Sequence, residues 1–276
     1  MALHYREAAE MNEWLIGYIV LGAVAGFFAG LLGVGGGAIM VPVLALMFAS
    51  QGFPDNHLMH LALGTSMATI VFTSISSLRA HHQHGAVIWS IVRSMAPGIV
   101  VGTVLAAQVA ARVPTRPLAI FFAAFISYVA VQMILNIKPK PSRQLPGAWG
   151  MFGVGTGIGG ISALVAIGGG SLSVPFMTWC NVKVHHAIGT SAALGFPIAL
   201  AGSVGYMISG YNATGLPAGS FGFIYLPALA ATVVTSMLVA PVGAKVAHSL
   251  PVATIKKVFA GVLILLSAKM LHGLFF

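Results

Sequence analysis

Beyond Asp55 the chain contains no aspartate or glutamate. Its four carboxylates are Glu7, Glu10, Glu13 and Asp55, and three of them precede the first long apolar run. Cation pumps and many proton-coupled carriers hold their ion on an intramembrane carboxylate. Aspartate-pair proteolysis and His–Glu metal hydrolysis need one as well. The missing side chains remove these classes. Cysteine is nearly missing too: Cys180 stands alone, so no intrachain disulfide forms. Charge of either sign is scarce, at 6% of residues, where a soluble domain carries about a quarter. No soluble surface can be built from that inventory. Alternating strand patterns are also lacking, since the apolar runs are continuous and longer than the roughly ten residues of a barrel strand. The N-terminus has no basic region followed by a small-residue cleavage site, so residues 1–13 read as a short retained tail and not a signal peptide.

What is present is apolar. Hydrophobic residues make up 58% of the 276, and the mean hydropathy is +0.96. These values predict an all-α polytopic membrane protein. The 13 Lys and Arg give a formal charge of +9. They lie scattered at the ends of apolar runs and form no stripe, which excludes nucleic acid as a partner. A basic, carboxylate-free interior suits a small anionic substrate. The expected partners are that anion and the lipid bilayer. No metal site and no cofactor is expected, and nothing in the sequence sets the oligomeric state.

Crossing about 30 Å of hydrocarbon takes about 20 residues. The predicted spans are 14–33, 59–79, 87–111 and 116–136, then 148–167, 186–209, 221–244 and 252–275. Two shorter apolar pieces, 38–49 and 171–180, read as half-helices. The polar stretch Lys138-Pro-Lys-Pro-Ser-Arg143 divides the chain midway. The units are therefore a tail (1–13), a first repeat (14–137), a linker (138–147) and a second repeat (148–276).

The repeats show in the sequence itself. Gly33-Val-Gly-Gly-Gly-Ala-Ile-Met-Val-Pro42 is echoed by Ala166-Ile-Gly-Gly-Gly-Ser-Leu-Ser-Val-Pro175. His60-Leu-Ala-Leu-Gly-Thr-Ser66 is echoed by His185-His-Ala-Ile-Gly-Thr-Ser191. One unit of about 130 residues is duplicated. Each half is expected to hold a glycine-broken first helix, a half-helix and three long spans.

Charge placement chooses between two arrangements. If each glycine break belongs to one broken crossing, the halves are parallel. Lys and Arg then divide seven (Arg6, Arg79, Arg93, Lys138, Lys140, Arg143, Lys269) against six. If each half-helix turns back, the halves are inverted. The division becomes nine (Arg79, Arg93, Lys138, Lys140, Arg143, Lys183, Lys245, Lys256, Lys257) against four (Arg6, Arg112, Arg116, Lys269). Cytoplasmic loops hold the excess, so the reading is inverted repeats in the cytoplasmic membrane, linker inside and both termini outside.

Glycine triplets weaken a helix and free backbone groups at membrane depth, where they need protein or a watery cavity. Matching breaks in two halves point to a transporter's binding site. A helix restarting after the triplet aims its N–H groups at the break and favours an anion there. The candidates are Gly35, Gly36, Gly37 and Ala38, with Gly168, Gly169, Gly170 and Ser171 opposite. Close helix packing is the alternative. Gly33–Ala38 also fits a dinucleotide-binding fingerprint, but it follows no strand and is rejected. Thr65, Ser66, Thr190 and Ser191 lie where they can cap the following spans or offer hydroxyls to a substrate oxygen. Thr65, Thr69, Thr73 and Ser76 share one helix face, either lining a cavity or bonding their own backbone. Histidine is the only remaining side chain that titrates readily near neutrality. The repeat makes His60 and His185 equivalent, so they are the candidates for protons or gating. His81, His82 and His84 read as a solvated loop-end cluster. Arg79 either snorkels to the interface or gathers anions at a vestibule.

Several stretches together carry a family resemblance: Gly30-Leu-Leu-Gly-Val-Gly-Gly-Gly37 with Val41-Pro42, Leu63-Gly-Thr-Ser66, and Arg79-Ala-His-His82 with Gly85, Ala86 and Val87. Ala96-Pro97-Gly98, Ile167-Gly-Gly-Gly170 with Val174-Pro175, and Gly189-Thr-Ser-Ala-Ala-Leu-Gly-Phe-Pro197 complete the set. From about residue 17 onward the chain resembles the sulfite exporter TauE/SafE family. The resemblance implies secondary transport of sulfite, sulfonates such as sulfoacetate, or related small anions across a prokaryotic cytoplasmic membrane. The expected function is export by alternating access, with the anion held between the repeats. A passive anion channel, or a carrier of another small organic anion, is the alternative. An intramembrane enzyme is disfavoured, since no serine is marked as a nucleophile.

Overall fold

A computed structural model describes residues 2–32, 36–135, 142–247 and 252–275. The described residues form ten helices. In order they are α1 (Ala2–Leu32), α2 (Gly37–Ser50), α3 (Leu58–Gln83), α4 (Trp89–Ala110), α5 (Thr115–Ile134), α6 (Ala148–Val165), α7 (Gly170–Trp179), α8 (Val184–Gly210), α9 (Leu226–Ala247) and α10 (Val252–Phe275). One tight hairpin, β1 (Ser220–Phe221) with β2 (Ile224–Tyr225), precedes α9. Seven of the helices are long and apolar enough to cross a bilayer by length and composition. The chain is an all-α polytopic membrane protein. Large apolar side chains such as Leu105, Val109, Ile120, Leu238 and Leu265 point outward, as lipid requires.

The expected spans are found with small corrections. Residues 2–13, set aside as a tail, continue α1 without interruption. The span expected at 221 starts at Leu226, because Ser220–Tyr225 pair as the hairpin. The two short pieces are the separate helices α2 and α7. Lys138 and Lys140 lie outside the described residues.

Each short helix doubles back along its predecessor. Gln51, which caps α2, donates from Nε2 to the Tyr18 hydroxyl at 2.6 Å. Met47 lies against Gly17, and the start of α2 at Gly36 lies against the Ala25 carbonyl. In the second half, Ser142 and Arg143 donate their N–H groups to the Trp179 carbonyl at the end of α7. The Trp179 indole donates to Ser142 Oγ at 2.9 Å, and Arg143 covers its ring at 4.8 Å.

The long helices pack mainly across the halves, α1 along α9 and α6 along α4. Small residues set the register, as they do where helices approach closely in lipid. Gly22 meets Thr232, Gly26 meets Ser236 and Gly243 meets Phe27, so α1 and α9 run the same way. Gly98 meets Phe152 and Gly102 meets Thr156, so α4 and α6 also share a direction. Between α3 and α8 the order reverses: Gly64 meets Tyr206, Gly202 meets Met67 and Gly195 meets Ser74. The most deeply buried stretch is Leu58–Ile70 of α3, with Tyr206 of α8 fully buried beside it.

Candidate functional site

The glycine breaks repeat in backbone geometry as well as in sequence. Gly36 precedes α2 with φ 70° and ψ −16°, and Gly169 precedes α7 with φ 81° and ψ −15°. This is the left-handed region that glycine enters without steric cost. Ile39 and Met40 donate to the Gly36 carbonyl, and Leu172 and Ser173 donate to the Gly169 carbonyl. The N–H groups of Gly37, Ala38, Gly170 and Ser171 therefore stand ahead of their hydrogen-bond ladders. Gly35 lies outside the described residues. Ala166 ends α6 with φ 45°, a conformation costing an alanine about 1–2 kcal/mol. Its carbonyl rests directly on Gly37, so the second break touches the first. The Gly168 carbonyl in turn lies against Gly195 of α8.

The Gly-Thr-Ser pairs sit inside their helices and do not cap them; the N-cap positions are His57 and Lys183. Thr65 and Thr190 are fully buried and reach across the halves. Thr65 Oγ1 accepts the Tyr225 N–H at 2.9 Å, and Thr190 Oγ1 accepts the Ile88 N–H at 2.9 Å. Each threonine thus receives the backbone just before the opposite half's next long helix. Ser191 lies 2.8 Å from Ser173 Oγ. Ser66 is equally buried, and its hydroxyl has no partner among the described residues. The position matching Ser173 in the first half is Met40, which offers no comparable group.

The threonine face of α3 serves helix pairing. Thr69 meets Thr232 and Thr73 meets Ser236, each at 2.9 Å, while both threonines also bond carbonyls one turn back. Ser76 is only half-buried. Sequence reasoning passed over Ser77, one turn beyond Thr73. Ser74, Ser77, Thr73, Gly168, Ala192 and Gly195 help to line a cavity of about 10 Å³, room for about one water. The spacing of four from Thr73 was the available signal. The expected stripe took Ser76 in its place.

The equivalent histidines occupy different surroundings. His60 lies buried in the first turn of α3 and not in a loop. Its Nε2 stands 3.1 Å from both the Ala110 and Val113 carbonyls, so that nitrogen carries the proton. The ring ties α3 to the corner between α4 and α5. His185 is exposed, its ring centroid 4.0 Å from that of His186 and tilted by 41°. Arg79 is exposed near the end of α3. Among the described residues, no group of three or more His, Cys, Asp or Glu could hold a metal ion. A larger cleft of about 390 Å³ lies far from the breaks, beside Asp55, Asn56 and Arg116. Its walls include the exposed Asp55, the last carboxylate of the chain, which opposes an anion.

Residues 18–270 match the family described as sulfite exporter TauE/SafE. A "Probable membrane transporter protein" of Haemophilus influenzae is 37% identical over 262 residues, covering 94% of this chain and 99% of its own length. "Probable membrane transporter protein YunE" of Bacillus subtilis is 28% identical over 215 residues, covering 70% of this chain and 78% of its own. "Probable membrane transporter protein YdhB" of the same organism is 25% identical over 240 residues, covering 84% and 89%. No solved structure gives a significant match. With its apolar spans and paired glycine breaks, the chain belongs to the sulfite exporter TauE/SafE family and is a multi-pass membrane transporter.

Proposed function

We propose that this transporter exports a small sulfur oxyanion, sulfite or an organosulfonate, by alternating access around its two glycine breaks. The observation that carries this reading is the matched left-handed turn at Gly36 and Gly169. Both turns aim unladdered N–H groups, at Gly37, Ala38, Gly170 and Ser171, into the region where the breaks meet. Neutral amides and hydroxyls can hold three sulfonate oxygens without a buried cation. Release then stays as easy as binding. Thr65 and Thr190 stand at opposite ends of the α3–α8 contact and act here through placement, each tying its helix to the backbone of the other half.

The helix directions support inverted repeats. Thr65, Thr69 and Thr73 pair in order with Tyr225, Thr232 and Ser236, so α3 runs with α9 and hence with α1. Ile88 pairs with Thr190 and Ala107 meets Gly205, so α8 runs with α4 and hence with α6. Because α3 opposes α8, each helix opposes its repeat counterpart. The central linker then lies with the excess of Lys and Arg, on the cytoplasmic side.

The topology is tested by single cysteines in a Cys180→Ala background. Ser142→Cys is expected to react with an impermeant thiol reagent only from the cytoplasm, and Asn212→Cys only from outside. Reaction of both from one side contradicts the inverted arrangement. The transport reading is tested with purified protein in vesicles offered sulfite, sulfoacetate, taurine and acetate. Saturable uptake of sulfite or sulfoacetate is expected. Flux rising linearly with concentration indicates a channel.

A further inference from the structure

Ser77 is buried at 7% exposure, and its hydroxyl has no hydrogen-bond partner among the described residues. A buried hydroxyl left unpaired is costly, so its retention calls for a reason. The side chain lines the cavity at the second break, beside Ser74 and Gly168. Its neighbours on α3 are engaged: Thr73 bonds the Thr69 carbonyl and meets Ser236, and Ser74 bonds the Val71 carbonyl at 2.8 Å. Ser74 can release that bond by one rotation about χ1. The lining Gly168 lies two residues before α7, which begins at Gly170.

The polar wall belongs to the first repeat alone. Counted from Thr65 and Thr190, the counterparts of Thr73, Ser74 and Ser77 are Ile198, Ala199 and Gly202. Ile198 and Ala199 are fully buried apolar residues, and Gly202 packs on Met67. At these three positions only the first repeat carries hydroxyls.

The geometry points to Ser77 and Ser74, with the break at Gly168, as the subsite that binds the transported oxyanion, and as one selective for monovalent anions. This rests on the reading that the protein carries a small sulfur oxyanion. Among the described residues, no lysine or arginine lines the cavity. Its side-chain donors are neutral hydroxyls, and the helix N-terminus two residues beyond Gly168 is equivalent to about half a unit charge. The cost of desolvating an ion grows with the square of its charge, whereas its attraction to fixed dipoles grows only linearly. A dianion therefore gains least here, and sulfite enters as hydrogensulfite. The cavity has room for about one water, so this is a contracted conformation, and α3 and α8 must part to admit the anion.

The test is uptake of radiolabelled sulfite and methanesulfonate by the full chain in vesicles, across neutral pH. Ser77→Ala is expected to cut uptake at subsaturating anion by at least about ten-fold. Ser77→Thr, which restores the hydroxyl, should recover most of the rate. Thr103→Ala removes a buried hydroxyl elsewhere and should match the unmodified protein. Sulfite uptake should fall as rising pH removes the hydrogensulfite proton. Methanesulfonate, singly charged throughout, should hold steady. That arm also controls for the charged and titratable groups nearby, His81 and Arg79 just beyond Ser77 on α3 and His185 and His186 at the start of the facing α8. Normal uptake by Ser77→Ala overturns the subsite and leaves the transport reading intact. Sulfite uptake that does not fall with pH overturns the charge selection. Uptake of neither anion by the unmodified protein overturns the transport reading and this inference with it.

Discussion

Leucine in place of Gly37 is expected to abolish transport, lowering uptake at least about 100-fold. The cause is contact between backbones. A Cβ at this position would lie inside the van der Waals surface of the Ala166 carbonyl and press on Ile70. The carbonyl cannot rotate away as a side chain could, because Ala166 is held in its left-handed cap at the end of α6. Any side chain at Gly37 therefore pushes the two breaks apart. Alanine at Gly36 or Gly169 should be milder, costing about 1–2 kcal/mol for the left-handed backbone. Gly36 is the less forgiving of the two: its Cβ would lie 2.7 Å from the Ala25 carbonyl, which is backbone, whereas at Gly169 the near neighbour is the movable end of the Ile198 side chain at 2.6 Å. Gly153→Leu serves as the control, since nothing lies within 4 Å of that position. Membrane yield and elution in detergent separate lost transport from lost folding. Normal uptake by Gly37→Leu at normal yield contradicts the site.

Alanine in place of Phe223 is expected to lower stability by about 3–5 kcal/mol and to let anions leak. Phe223 is buried in the loop of the β hairpin, 5.4 Å from the His57 ring and 5.0 Å from the His60 ring. Its carbonyl rests on Gly64, and its N–H donates to the Tyr206 carbonyl at 3.3 Å. At the other end of the α3–α8 contact, the Ala86 carbonyl rests on Gly189 in the same way. Two loops thus plug the two ends of one helix pair, with a phenyl ring at one end and a methyl group at the other. The bulky plug seals the end opposite the Thr73–Ser77 cavity. Thermal unfolding in detergent and anion efflux from loaded vesicles check both effects. An unchanged melting temperature with unchanged efflux contradicts the plug.

The element boundaries were legible because a membrane helix must be long, continuous and apolar. The half-helices were legible because three glycines and a proline interrupt that continuity twice, in register. The side of each helix that meets protein was harder to read. Lipid and protein interior are both apolar, so hydrophobicity does not mark the inward face. The use of Thr65 and Thr190 to receive N–H groups from the opposite half was hidden for this reason, since it depends on a contact more than 100 residues away in sequence. Ser77 was passed over because Ser76 fits the stripe equally well by spacing; only the rotation of α3 separates them. His60 and His185 look equivalent by alignment. They differ because the corner at Ala110 and Val113 closes over one, while the other stays exposed. Phe223 carried no signal, being one aromatic residue in a short loop.

The central claim is that two doubled-back helices meet within the membrane and offer unladdered amides to an oxyanion. Selenite, a heavier analogue of sulfite, tests it directly by anomalous diffraction from crystals grown in its presence. The account predicts a selenium peak within about 4 Å of the Gly170 and Ser171 amides and the Ser77 hydroxyl. Selenium found only against surface lysines and arginines, or beside Arg116 in the cleft near Asp55, would contradict it.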